Sequence, residues 1–150
     1  MIDYFALLDQ PRKPWLDLDA LKEKYHALAR QNQPDEKLNE AYRVLSDPKL
    51  RLEHLLKAEP VANQNVPDHL VDLFMEIAPV LNKIDKNDAA LVDELFARVT
   101  QRYDETLDAL RAADAHWPQN RAEIQLIHRQ LVYLTRWRDL LQEHGLQLSI

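Results

Sequence analysis

A single glycine, Gly145, stands among the 150 residues of this chain. Glycine supplies the positive-φ positions of tight hairpins and lets backbone close on a phosphate. With one glycine, Rossmann or P-loop phosphate cradles cannot be built, and every sharp β-turn would have to rest on asparagine or aspartate. An α-helical chain is the reading that follows. Apolar residues make up 46% of the sequence, enough for a core in one ordinary domain or two small lobes. The absence of cysteine removes disulfides, thiolate catalysis and thiolate ligation of a metal or cluster.

The opening Met1-Ile2-Asp3-Tyr4-Phe5-Ala6-Leu7-Leu8 has no basic n-region, and no segment approaches ~20 uninterrupted apolar residues, so a cytosolic protein with no membrane partner is expected. The net charge is −6 and uneven: residues 1–60 carry ten basic and eleven acidic side chains, residues 61–115 five and eleven. Nucleic acid demands a basic face, so it is not an expected partner.

Helical periodicity organises the chain. Asp3 is a plausible N-cap for a short helix with Tyr4, Phe5, Leu7 and Leu8, ending before Gln10-Pro11. After the extended Pro11–Pro14 connector, Asp17 is the next cap, with Leu16 and Leu21 spaced as a hydrophobic staple. Leu18, Leu21, Tyr25 and Leu28 step along one face of that helix, and Lys22, His26 and Arg30 along the other. Gln33-Pro34-Asp35-Glu36 interrupts this helix and suits the first turn of another, where proline fits and acidic groups meet the positive dipole end. That third helix buries Leu38, Ala41, Tyr42 and Leu45 and stops at Ser46-Asp47-Pro48. A fourth, short helix carries Leu52, Leu55 and Leu56.

Residues 59–67 hold two prolines and no apolar period, and read as a linker. Three longer amphipathic helices follow. The first uses Leu70, Leu73, Phe74, Ile77, Leu81 and Ile84, with a kink expected at Pro79. The second, starting near Asn87 or Asp88, uses Leu91, Leu95, Val99, Tyr103, Leu107 and Leu110. The third, opened by Asn120 and Glu123, uses Ile124, Ile127, Leu131, Leu134 and Leu141, takes Trp137 as core, and ends at Gly145. The expected fold is all-α, with a short helical hairpin lobe (1–58), the linker (59–67) and an antiparallel three-helix bundle (68–150).

The N-terminal residues carry a family resemblance. Asp3-Tyr4-Phe5-Ala6-Leu7-Leu8 is similar to the opening of J domains. Tyr25-x-x-Leu28-Ala29-x-x-x-Gln33-Pro34-Asp35 matches their Tyr-x-x-Leu-Ala-x-x-x-His-Pro-Asp pattern with glutamine for histidine, and Leu38 to Arg51 resembles the third J helix running into Leu-Ser-Asp-Pro-x-x-Arg. Arg51-x-Glu53-x-Leu55-Leu56 then resembles the HscB-type subgroup, J-domain co-chaperones of iron-sulfur cluster assembly. Only five residues separate Asp35 from Ala41, so the third helix is short for that family.

The resemblance implies two partners. A DnaK-type chaperone would dock on the basic second helix and triad, here Lys22, His26, Arg30, Gln33, Pro34 and Asp35. A client such as an iron-sulfur scaffold protein would bind Leu70, Val71, Phe74 and Tyr133, expected as one exposed patch, although Leu70 and Phe74 equally suit core positions. ATPase stimulation should be weak or lost, because Gln33 cannot replace the imidazole and part of the docking surface is missing. Any cluster would belong to the partner.

The alternatives are a J-like adaptor without an ATPase role and a self-associating helical scaffold. The six histidines lack a His-x-x-x-His pair with a matching carboxylate, and Asp85-Lys86-Asn87-Asp88 suits a helix cap better than a calcium loop, so neither metal nor cofactor is expected. No general-base constellation points to an enzyme.

Overall fold

Aspartates start the helices of the N-terminal half. The computed structural model describes residues 2–31, 35–57 and 66–150. Helix α1 spans Tyr4–Leu7, and Asp3 Oδ1 accepts the N–H groups of Phe5 and Ala6 at 3.0 and 3.5 Å. Helix α2, Leu18–Gln31, begins where Asp17 Oδ1 accepts from Asp19 and Ala20 at 3.0 and 3.2 Å. Asp35 caps α3, Glu36–Ser46, through the Lys37 N–H at 2.9 Å. Asp47 ends α3 and caps α4, Pro48–Leu56, through Lys49 and Leu50, with Pro48 in the first turn where its missing N–H costs nothing. Each such cap is worth about 1 kcal/mol.

Contacts divide the chain into two units: Met1–Glu59 with Leu110–Gln125, and Pro60–Ala109 with Leu126–Ile150. The first unit buries Phe5 and Leu8 of α1, the staple pair Leu16 and Leu21, Leu38, Ala41 and Leu45 of α3, and Leu52, Leu55 and Leu56 of α4. Leu18, expected on the buried stripe, is instead half exposed, because Leu21 already fixes the inward phase of α2. Tyr25 stacks on Tyr42 at 4.3 Å and ties α2 to α3. Arg51 lies in this core at 2% exposure; its Nε donates to the Pro14 carbonyl and its NH1 to the Leu45 carbonyl, both at 2.8 Å. Asp114 fastens the connector before α2, accepting the Trp15 N–H at 3.0 Å and pairing with Lys13 at 2.9 Å.

The second unit is built from α5 and from α6 and α7 apart from residues 110–125. A 3-10 turn, Asp68–Leu70, leads into α5, Val71–Leu81, with Pro79 inside its last turn. Asp85 caps a further turn, Lys86–Asp88, that opens α6, Ala89–Ala113; Asp114–Gln119 turns the chain into α7, Arg121–Leu148. The core of this antiparallel bundle is Leu70, Leu73, Ile77 and Val80 from the α5 segment, Val92, Leu95 and Val99 from α6, and Tyr133, Leu134, Trp137, Leu141 and Leu148 from α7. Residues 59–65 of the expected linker lie outside the described residues; Val66, also in it, packs against the bundle core.

Three expectations change here. Ile84 is 71% exposed in the α5–α6 turn, and Val92 rather than Leu91 faces inward at the start of α6, while Leu95, Val99 and Leu110 of the expected stripe are buried. Gly145 does not end the last helix: α7 continues to Leu148, and no glycine takes a positive φ. Burying Leu148 favours an extra turn over a glycine stop.

Candidate functional site

The first candidate surface is the outer face of α2. Lys22, His26 and Arg30, spaced four apart, are all exposed, while Leu21 is buried and Tyr25 and Leu28 are half-buried on the other side. The hydrophobic pattern thus forces the three basic groups into one outward row. No ion pair among the described residues engages Lys22 or Arg30. Gln33 and Pro34, expected beside this row, lie outside the described residues. Asp35 is described, and its Oδ1 holds the Lys37 N–H at the start of α3.

The second candidate surface is on α5. The four residues expected there do not form one exposed patch. Val71 and Phe74 are on the surface at 38% and 37% exposure, but Leu70 at 1% and Tyr133 at 8% belong to the core. Helix phase is the reason: Leu70, Leu73, Ile77 and Val80 share the inward face, which turns Val71, Phe74 and Met75 outward. Met75, 64% exposed, was missed by sequence reasoning, although its place four after Val71 was the available signal.

Phe74 is nevertheless joined to the core aromatics. Its ring centroid is 5.9 Å from that of Trp137, which is 5.7 Å from Tyr133, over whose ring the Arg136 guanidinium sits at 5.4 Å. A half-exposed aromatic backed by a buried one is a rigid anchor of the kind that dominates protein interfaces. A mixed-charge cleft of about 220 Å³ lined by His69, Asp72, Arg98, Arg102 and Glu105 lies on the same unit. Arg98 there is already paired to Glu76 at 2.6 Å, which holds the Glu76 carboxyl below the usual range. Among the described residues no group of three or more metal-ligating side chains could hold an ion, and no helix is long and apolar enough to cross a membrane.

The sequence matches no protein-family model. The co-chaperone protein HscB of Proteus mirabilis (strain HI4320) is 28% identical, the likeness covering 73% of this chain and 79% of that protein. This chain resembles the HscB-type co-chaperones. The solved structure of the chaperone HscB from Vibrio cholerae shares the fold, with a TM-score of 0.65 at 22% identity over 98% of this chain and 99% of that one. The HscB likeness therefore covers the all-α architecture. Helix α3 has 11 residues in this chain.

Proposed function

We propose that the chain is a J-type co-chaperone of the HscB kind that docks on a DnaK-type chaperone through α2 and binds a client, an iron-sulfur scaffold protein, through the outer face of α5. The observation that carries this reading is the exposed row Lys22, His26 and Arg30, set on the J-like helix that leads to Gln33-Pro34-Asp35. An exposed row in which Lys22 and Arg30 have no ion pair among the described residues suits an acidic partner surface, and such contacts act mainly on association rate and specificity. On the client side, Val71, Phe74 and Met75 supply apolar area, with Leu70 and Tyr133 supporting it from the core.

Stimulation of ATP hydrolysis is weak in this proposal. Gln33 does not titrate as an imidazole does. The Asp35 carboxylate is moreover occupied by its own helix, which favours the adaptor version of the same role, holding both partners without driving the ATPase. Binding and single-turnover hydrolysis with a purified DnaK-type chaperone test the two halves separately. The expected result is measurable binding, lost in the Lys22→Glu, Arg30→Glu double variant, with hydrolysis accelerated far less than by an intact J domain. Absence of binding would remove the docking assignment, and full-strength acceleration would remove the adaptor version.

A further inference from the structure

A cleft of about 340 Å³ in the N-terminal unit surrounds a histidine that the docking role does not use. It is lined by Ile2, Asp3, Arg12, His54 and Lys57. The His54 side chain, on α4, is 10% exposed. Its ring stacks on Tyr4 at 4.5 Å and lies 5.8 Å from Phe5, and its Nε2 accepts the Tyr4 N–H at 3.1 Å. An imidazole that accepts at Nε2 carries its proton on Nδ1 and is neutral. The first N–H groups of α1 are thus divided between two acceptors: His54 takes Tyr4, and Asp3 Oδ1 takes Phe5 and Ala6.

Protonation of His54 removes the acceptor for Tyr4 and adds a cation to a cleft that already holds Arg12 and Lys57. The opposing charge is Asp3, whose Oδ1 is 3.9 Å from Nε2. That oxygen already holds two α1 amides and faces Arg12 at 3.5 Å, so drawing it toward the imidazolium weakens the remaining cap. We propose that His54 is an acid-sensitive latch: neutral, it closes α1 onto α4, and protonated, it releases α1 from the faces that Phe5 and Leu8 cover.

Burial holds the His54 imidazole below its ordinary value; Arg12 and Lys57 push the same way, and Asp3 opposes them. A folded-state value below the unfolded one, about 6.5, means that the closed state binds fewer protons than the open one. Its advantage is complete above that unfolded value and shrinks as the pH falls toward the folded one, so the opening constant rises by at most about tenfold per pH unit.

Amide exchange of the full-length protein by NMR, corrected for intrinsic rates and followed from pH 7.5 to pH 5, reads this directly. Protection of residues 4–8 should fall as the pH drops in the wild type, by no more than about tenfold per unit, and stay level in His54→Gln, whose side-chain oxygen can accept the Tyr4 N–H but does not titrate. An equal fall in both proteins, or none in the wild type, overturns the proposal. Should the variant fold poorly, the His54 ring protons and the Tyr4 amide of the wild type must titrate with one common midpoint below the ordinary histidine value. Separate midpoints overturn it.

Discussion

Arg51 is the residue whose removal tests most of the N-terminal fold at once. Its guanidinium reaches from α4 to two places, the Pro14 carbonyl in the connector and the Leu45 carbonyl in the last turn of α3, at 2.8 Å each. The second contact also sets a cation at the negative end of the α3 dipole. A hydrogen bond from a charged donor contributes about 1.5–3 kcal/mol, and a buried acceptor left without a donor costs about 1–3 kcal/mol. Arg51→Met keeps most of the volume but strands both carbonyls, so it should lower stability by about 3–5 kcal/mol, the range for breaking a buried charged contact. Small proteins hold only about 5–15 kcal/mol in total. Arg51→Lys keeps the charge without the planar fork that spans two carbonyls, and about half of that loss is expected. Urea titration followed by circular dichroism and by tryptophan fluorescence measures both variants, the two probes showing whether the units unfold together. A Met variant within about 1 kcal/mol of wild type, with an unchanged slope, would refute the reasoning.

Gly145→Ala should stabilise the protein by about 1 kcal/mol, since the residue is inside α7. A Cβ there would meet Val92 Cγ1 at an ordinary 3.6 Å, and a fall in the calorimetric midpoint would contradict this. Tyr133→Ala should cost about 3–5 kcal/mol of stability as a deleted core aromatic. Phe74→Ala should weaken binding to an iron-sulfur scaffold protein by about 1–4 kcal/mol with a smaller stability change; unaltered affinity by calorimetry would remove the α5 face from the proposal. A fragment of residues 66–150 should keep amide protection at Val92, Leu95 and Val99 but lose it across 110–125, whose buried Leu110, Ala113 and Ile124 cluster with the N-terminal unit. Loss of protection throughout, with dye binding, would show instead that the bundle core cannot stand alone.

What could be read from the sequence was what local chemistry decides. Asp3 and Asp17 could be placed as caps because a cap needs only a short acceptor two or three residues before its amides, whereas Asp35, expected inside the first turn of α3, is its cap. Helix phase was harder. Leu91 and Val92 are both apolar and adjacent, so periodicity permits either one inward, and only packing against α7 chooses Val92. The same ambiguity put Leu70 and Tyr133 on a surface when the bundle needs them as core.

Gly145 misled for a related reason: its residue type favours a helix end, but the apolar contact of Leu148 one turn later outweighs about 1 kcal/mol of propensity. Arg51 was legible as part of a motif and illegible as structure, because arginine is rarely buried and nothing in the sequence shows two carbonyls waiting for it. Once those contacts are known, the motif has a physical reading. Leu45 supplies an acceptor, Asp47 and Pro48 stop one helix and start the next, and Arg51, on the first turn of the new helix, reaches back to hold the corner closed.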